Sequence, residues 1–494
     1  MLDAVRDDTL KVRELFAMQR PILTNAYAAR PHVESYQGPK NLKMAAGSAA
    51  VNSFGAAYAV GAVYLFLLFS HATEFIDTSG RLHLVVLTAA AALIAAFSAG
   101  QLPATLSSKP GICLTLFTMF LVVGIPFSAW KGNSLANFLN MWWKSYLSFF
   151  FVASLIFTVD QMRKSLFLLG ASTFGIAYFS FKAMKVWSDG RISVEYGSLG
   201  NSNDLAGALL VSLPFVLYVV VDKRRAMLIR LAFVALIFVM LYLVFKTGSR
   251  SSVLALGFMA LLVFFKTNAQ NKFKILVVTG VMACIFPLVA GKVLMDRYKT
   301  MFSTEKTSEM TDDAASAVES TQARRQLMYN AVELTIRNPI FGVGLGNFRD
   351  QSANLEISKG RKPLWFTSHD IYLLVSAETG VPGIALYLAT MIVSFATMIR
   401  IERAAKLTQE LRELANMAFC IFMALVVFAA CGIFSTNAYN VELPLLAALT
   451  AALDRISKPV LAAAEVRRIE QFRQSIPVRP SKFASSAAAA LSVR

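Results

Sequence analysis

The chain has 494 residues, of which 56% are hydrophobic and 16% charged, and its 48 Lys and Arg against 30 Asp and Glu give a net charge of +18. An average soluble domain carries about a quarter charged residues, so a soluble globule is the wrong class. In a soluble protein this positive charge would suggest nucleic acid, but here the basic residues lie between long apolar blocks, where they set membrane orientation instead.

Residues 1–47 form a mixed-charge segment far longer than the basic start of a secretory signal, so the first apolar block is expected to stay in the mature protein. Apolar blocks at 48–70, 82–99, 111–128, 138–158, 166–182, 204–221, 227–245, 252–265, 275–290, 371–399, 416–436 and 442–454 predict twelve transmembrane helices. The fold class that follows is an all-α integral membrane protein. Its expected parts are a tail at 1–47, nine spans within 48–290, a large partly helical loop at 291–370, three spans within 371–454, and a disordered tail at 455–494.

Alternate connections gather Arg163 and Lys164, then Lys223, Arg224, Arg225 and Arg230, then Lys266, Lys272 and Lys274, then Arg400, Arg403, Lys406 and Arg412 on one side. The positive-inside rule makes that side cytoplasmic. Both tails join it, with seven basic residues before the first block and eight after residue 454. The loop 291–370 is then external; within it, 303–322 is polar and without apolar periodicity, and 321–338 predicts an amphipathic helix. That helix carries Leu327, Met328, Ala331, Leu334 and Ile336 along one face and stops at Pro339. It is expected to lie on the outer membrane surface or on the other helices.

The four cysteines, Cys113, Cys284, Cys420 and Cys431, sit inside apolar blocks without CxxC spacing, and His32, His71, His83 and His369 form no ligand cluster. Neither a disulfide framework nor a metal centre is expected, and no cofactor. Four stretches bearing ionisable or amide residues all fall on the external face: 189–207, 246–252, 323–348 and 368–383. Function is therefore sought there. Arg250, in a short turn with small hydroxyl residues at a helix start, is either an arginine snorkelling to headgroups or a bidentate ligand for a phosphate or diphosphate. Arg325, four residues before Tyr329, is either solvated or a second clamp on the same leaving group. Arg191, Asn201 and Asn203 are candidate sugar or phosphate contacts, the asparagines also fitting a turn and cap; Asp204 reads as a cap. His369 is either an interfacial residue or a base for a sugar hydroxyl. The glycines at 342, 344 and 346 follow no predicted strand, so they mark a tight turn with close backbone packing and not a dinucleotide site.

TGSR at 247–250, GNSND at 200–204, Arg325 with Tyr329, NPIFGVGLGNF at 338–348 and SHDIYLLVSAETGVPG at 368–383 together resemble the O-antigen ligase and polymerase superfamily of bacterial envelope biogenesis. The resemblance covers about residues 189–400 and departs from the usual pattern at Ser202, where Pro is common, and at Asp370, where Asn is common. It implies a GT-C-like, metal-independent, inverting glycosyltransferase in the bacterial inner membrane. Such an enzyme moves oligo- or polysaccharide from undecaprenyl diphosphate to a glycan or lipid A core acceptor on the periplasmic side, among membrane lipids and envelope-polysaccharide assembly proteins, and binds no nucleic acid. On this reading Arg250 and Arg325 stabilise the leaving diphosphate, and His369, with a pKa near its ordinary value, deprotonates the acceptor. Tyr372 and Glu378 orient the imidazole or its segment. The competing expectations are a transporter or flippase of lipid-linked sugars, in which GVPG at 380–383 breaks the tenth span, and a protein O-oligosaccharyltransferase.

Overall fold

Helix fills every apolar block that falls within the described residues. The computed structural model describes residues 48–76, 84–187, 190–195, 197–266 and 312–475, with Lys272 and Gly280. The block expected at 275–290 lies outside them, Gly280 apart. Two units divide the chain, Met1–Ser53 and Phe54–Arg494; of the first, only 48–53, at the start of a helix, is described.

In chain order the helices are α1 (Ser48–Phe69), α2 (Ala72–Ile76), α3 (Leu84–Ser98), α4 (Leu102–Leu106), α5 (Lys109–Gly124), α6 (Lys131–Asn137), α7 (Trp143–Leu155) and α8 (Val159–Lys182). A short antiparallel hairpin follows, β1 (Met184–Val186) paired with β2 (Ile192–Val194), Lys185 opposite Ser193. Then come α9 (Ser202–Val221), α10 (Met227–Lys246), α11 (Arg250–Lys266), α12 (Asp312–Arg337), α13 (Phe348–Ser358), α14 (Ile371–Ala405), α15 (Arg412–Gly432) and α16 (Glu442–Ser475). Among the described residues, six stretches are long and apolar enough to cross a membrane: Lys109–Phe127, Val159–Lys182, Ser202–Val221, Met227–Lys246, Ile371–Ala405 and Gln409–Gly432. The fold is that of an all-α membrane protein.

The helix expected from residue 321 begins at Asp312, and a second helix, α13, follows it. Leu327, Ala331 and Leu334 are buried as predicted, whereas Met328 and Ile336 face outward, Ile336 at 72% exposure. The stripe is narrower than the pattern suggested because Met328 and Ile336 lie roughly 80° and 160° around the helix from its centre between Leu327 and Ala331.

α14 packs against α5, α12, α15 and α16. Its Tyr387 is fully buried, stands edge-on to Phe117 at 5.6 Å and donates to the Ala438 carbonyl at 3.0 Å. Ten residues into α14 the helix breaks at Gly380, whose φ of 68° and ψ of −173° are non-helical. The loop 338–348 fills that break. Val343 N–H donates to Ala377 O and Gly344 N–H to Glu378 O, both at 2.9 Å, and Val381 N–H donates to Pro339 O at 2.8 Å. The groups that the break frees are therefore bonded again, as a low-dielectric setting requires. From the other side Asn133 donates to Gly346 O at 2.9 Å and Ser134 to Leu345 O at 3.0 Å, fixing the loop to α6.

At the end of the helices away from α12, cations and carboxylates pair. Glu413 takes Arg163 and Arg224, Glu402 takes Lys266 at 2.6 Å and Lys406 at 2.8 Å, and Asp454 takes Arg400 and Lys458.

A Cβ at Gly342 would stand 2.3 Å from the Glu378 carbonyl carbon, and one at Gly380 would stand 2.5 Å from Ile340 O; both residues have positive φ. Gly342→Ala or Gly380→Ala should therefore lower the thermal midpoint of the detergent-solubilised protein by at least ~5 °C. Gly257→Ala, in α11 with open space around it, should leave the midpoint unchanged or raise it.

Candidate active site

The turn after α10 is lined with hydroxyls. Thr247, Ser249 and Ser252 are all buried; Ser249 Oγ lies 2.8 Å from Ser251 Oγ and accepts from Ser252 Oγ at 2.9 Å. Gly248 takes a positive φ of 61°, which turns the chain tightly enough for Arg250 to open α11, where it is half-buried.

Arg191, at the base of β2, holds this turn in place. Its Nε donates to Thr247 O at 2.8 Å and its Nη2 to Asn203 Oδ1 at 3.2 Å. One guanidinium thus joins the hairpin, the start of α9 and the turn leading to Arg250. Asn201 caps α9 by accepting from Asn203 N–H at 2.9 Å. Asp204, expected as the cap, is instead buried and accepts from Ser435 Oγ at 3.0 Å and Thr436 Oγ1 at 3.1 Å, tying α9 to the connection between α15 and α16. Asn201 takes the cap because its extended backbone stands one residue before the first helical turn.

His369 precedes the cap of α14. Asp370 is that cap, accepting from Tyr372 N–H at 2.8 Å and Leu373 N–H at 3.0 Å. His369 sits at φ 52°, left-handed for a side-chain-bearing residue, and its buried Nδ1 has no hydrogen-bond partner among the described residues. Burial, with the charges of Arg324 and Arg191, pushes its pKa down to about 4. That corrects the expected near-ordinary value: the ring is neutral at physiological pH. Asp370 moves the other way, its pKa raised by burial against the two N–H groups it accepts.

Arg324, the neighbour of the expected Arg325, is the arginine of α12 whose charge acts on His369. Arg325 is exposed, with its guanidinium carbon 5.9 Å from the Tyr329 ring centre. Arg324 is half-buried and its charge reaches His369. The signal was present: residue 324 lies seven positions before Ala331 and three before Leu327, on the buried stripe, whereas 325 shares the outer face with Tyr329.

Tyr372 and Glu378 bond within the scaffold around His369. The Tyr372 hydroxyl donates to Ala429 O at 2.7 Å, joining α14 to α15, and Glu378, 4% exposed, accepts from Phe348 N–H at 3.2 Å through Oε1. These bonds tie the segment that follows His369 to α15 and to the start of α13.

A further cluster stands behind the 197–203 loop. His71 Nδ1 lies 2.9 Å from Glu74 Oε1 and 3.0 Å from Ser198 Oγ, while Glu74 Oε2 accepts from Ser198 N–H at 2.8 Å. Burial opposes the charged form of both residues, but the mutual bond and attraction win, raising the pKa of His71 and lowering that of Glu74. Nothing in the sequence spacing joins residues 71 and 74 to 198. Among the described residues, no group of three or more His, Cys, Asp and Glu is placed to hold a metal ion.

The fold and these residues give a multi-pass membrane protein in which the charges of Arg324 and Arg191 act on a buried histidine. Residues 235–388 match the O-antigen ligase family, a stretch that holds Arg250, Arg324, Arg325, His369, Tyr372 and Glu378. The match supports the O-antigen ligase and polymerase superfamily to which the motifs pointed, and with it ligase-like glycosyl transfer in general. No curated protein matches the chain.

The His71–Glu74 pair makes stability depend on pH. The raised His71 pKa contributes stability that is full below its ordinary 6.5 and lost as pH rises through the folded value. The lowered Glu74 pKa contributes stability present above 4.5 and lost as pH falls through its folded value. Asn tolerates the left-handed backbone of His71, φ 54°. Thermal melts of wild type and His71→Asn should therefore differ most between about pH 4.5 and 6.5, and the gap should narrow at higher pH.

Proposed function

We propose that the chain is a metal-independent, inverting glycosyltransferase. It moves an oligo- or polysaccharide from undecaprenyl diphosphate to an acceptor sugar at the periplasmic face of the inner membrane, in the synthesis of lipopolysaccharide or exopolysaccharide. The observation that carries this reading is the convergence of the Arg191 and Arg324 charges on a neutral His369 whose Nδ1 lacks a partner.

In the step proposed, the acceptor hydroxyl attacks the anomeric carbon. The new C–O bond forms as the bond to the diphosphate breaks, and the electron pair leaves on the phosphate oxygen. A diphosphate needs little protonation to leave, so fixed guanidinium groups suffice to stabilise it. Arg250, beside the buried hydroxyls of Thr247, Ser249 and Ser252, and Arg324 fill that role. Arg325 meets the donor from the outer face of α12, and Arg191, Asn201 and Asn203 orient the sugars. The acceptor proton passes to His369. Bound diphosphate offsets the arginine charges that hold the imidazole's pKa down, so the base strengthens when the donor is in place.

The proposed topology is twelve spans with both tails cytoplasmic and 291–370 periplasmic. The ion-paired end, with Arg163, Arg224, Lys266, Arg400 and Lys406, is then cytoplasmic. A donor lipid and a glycan or lipid A core acceptor reach the site from the membrane and the periplasm. The break in α14 does not favour a transporter, because its freed carbonyls bond the 338–348 loop and present no ion site.

The test is turnover by purified protein given a polyprenyl-diphosphate donor and a glycan acceptor. Transfer should persist in excess EDTA, and rescue of a lost rate by one divalent ion would transfer the charge-stabilising role from arginine to metal. Arg324→Ala should cost on the order of a hundredfold in rate, and Arg325→Ala clearly less. The reverse order would place the clamp on the outer face of α12.

A further inference from the structure

Away from the site, an open cavity of about 440 Å³ lies where the connection between α7 and α8 meets α16 and the start of α4. Its size falls within the range of roughly 300–1,000 Å³ typical of ligand pockets. Arg455 of α16 lines it, with Gln101, Thr158 and the apolar Phe157, Pro459 and Val460.

Arg455 closes the end of α7. Nη2 donates to Ala153 O at 2.6 Å and Ile156 O at 2.8 Å, and Nη1 to Thr105 Oγ1 at 3.3 Å. These acceptors are neutral, and the helix end adds only about half a negative charge. A guanidinium has five N–H groups. Three are used, so Nε–H and one Nη1–H have no acceptor among the described residues. No carboxylate pairs with Arg455 among the described residues either. Asp454 binds Arg400 and Lys458, and Asp160, in the first turn of α8, binds Arg163 at 2.8 Å and Lys164 at 2.9 Å. The neighbourhood thus carries surplus positive charge around a cavity with spare donors and a greasy wall.

We propose that this cavity binds the phosphodiester of an anionic phospholipid, with Arg455 on the phosphate and Phe157, Pro459 and Val460 against the start of the acyl chains. A basic recess between helix ends is the kind of surface that selects anionic headgroups. The apolar wall is what favours a lipid over free phosphate, which offers nothing to bury against it. Bound there, the lipid bridges α16 to the α7–α8 connection and stiffens the end of the protein opposite His369.

The experiment titrates the full-length protein in detergent with phosphatidylglycerol, with phosphatidylcholine of the same chains, and with inorganic phosphate. Bound lipid is read by native mass spectrometry and protection by the thermal midpoint. Wild type should bind phosphatidylglycerol at least about tenfold more tightly than phosphatidylcholine, because both offer the phosphate but the surplus positive charge repels the choline cation. Val460→Trp, which fills the cavity and keeps the guanidinium, should reduce the preference to the phosphatidylcholine level. Arg455→Gln should do the same, and if it fails to fold the Val460 variant decides alone. Lys458→Gln, which changes an exposed charge outside the cavity, should keep the preference. Equal binding of both lipids to wild type, or a preference that survives Val460→Trp, would overturn the assignment. Full protection by phosphate alone, with none added by phosphatidylglycerol, would overturn the lipid and leave a simple anion site.

Discussion

A membrane helix keeps its backbone N–H and C=O groups bonded to one another, because lipid offers them nothing, and α14 gives that up at Gly380. The freed carbonyls of Ala377 and Glu378 take N–H groups from Val343 and Gly344, so the loop 338–348 is as much a part of α14 as its own turns. Much else follows from this exchange. α12 must end and α13 must begin beside α14, and α6 must lie against the loop to hold Gly346 and Leu345. Ser134 and Asn133 do so, with Asn347 bonded back to Ser134 at 3.0 Å. The part of α12 that bears Arg324 is thereby fixed relative to His369, although 45 positions separate them in the sequence.

Charge is handled differently at the two ends of the helices. At one end three carboxylates, Glu413, Glu402 and Asp454, each hold two cations. At the other, Arg191 donates to a carbonyl and an amide oxygen, and its charge still reaches His369 together with that of Arg324. The first arrangement is self-contained. In the second, those charges and burial lower the pKa of His369.

Much of the fold was legible in the sequence because apolar length and basic punctuation are direct consequences of the bilayer. α1, α9, α10 and α14 begin within two residues of their predicted starts. The glycine run 342–346 reads as close backbone packing, whereas the break at 380 entered only through the competing transporter expectation. What escaped were contacts made only by tertiary structure. His71 and Glu74 meet Ser198 across more than 120 residues, and no local period encodes that. Asp204 was taken for a cap because caps are local, while its partners, Ser435 and Thr436, are remote. The motif points to Arg325, while the helical azimuth that Leu327 and Ala331 define places Arg324 nearer the buried face. The ordinary pKa expected for His369 failed for the same reason, since the burial and the two arginines that lower it come from three separate segments.

The account stands on His369 as the group that receives the acceptor proton, and its left-handed backbone dictates how that is tested. Ala would strain φ 52°, whereas Asn tolerates it and removes the basic nitrogen. The decisive measurement is donor affinity and single-turnover transfer for wild type and His369→Asn, on folded protein of equal thermal midpoint. The account predicts donor affinity within about twofold of wild type and a transfer rate lower by roughly a hundredfold or more. Transfer at the wild-type rate with donor bound would contradict it, and would leave the arginines as the whole of the chemistry.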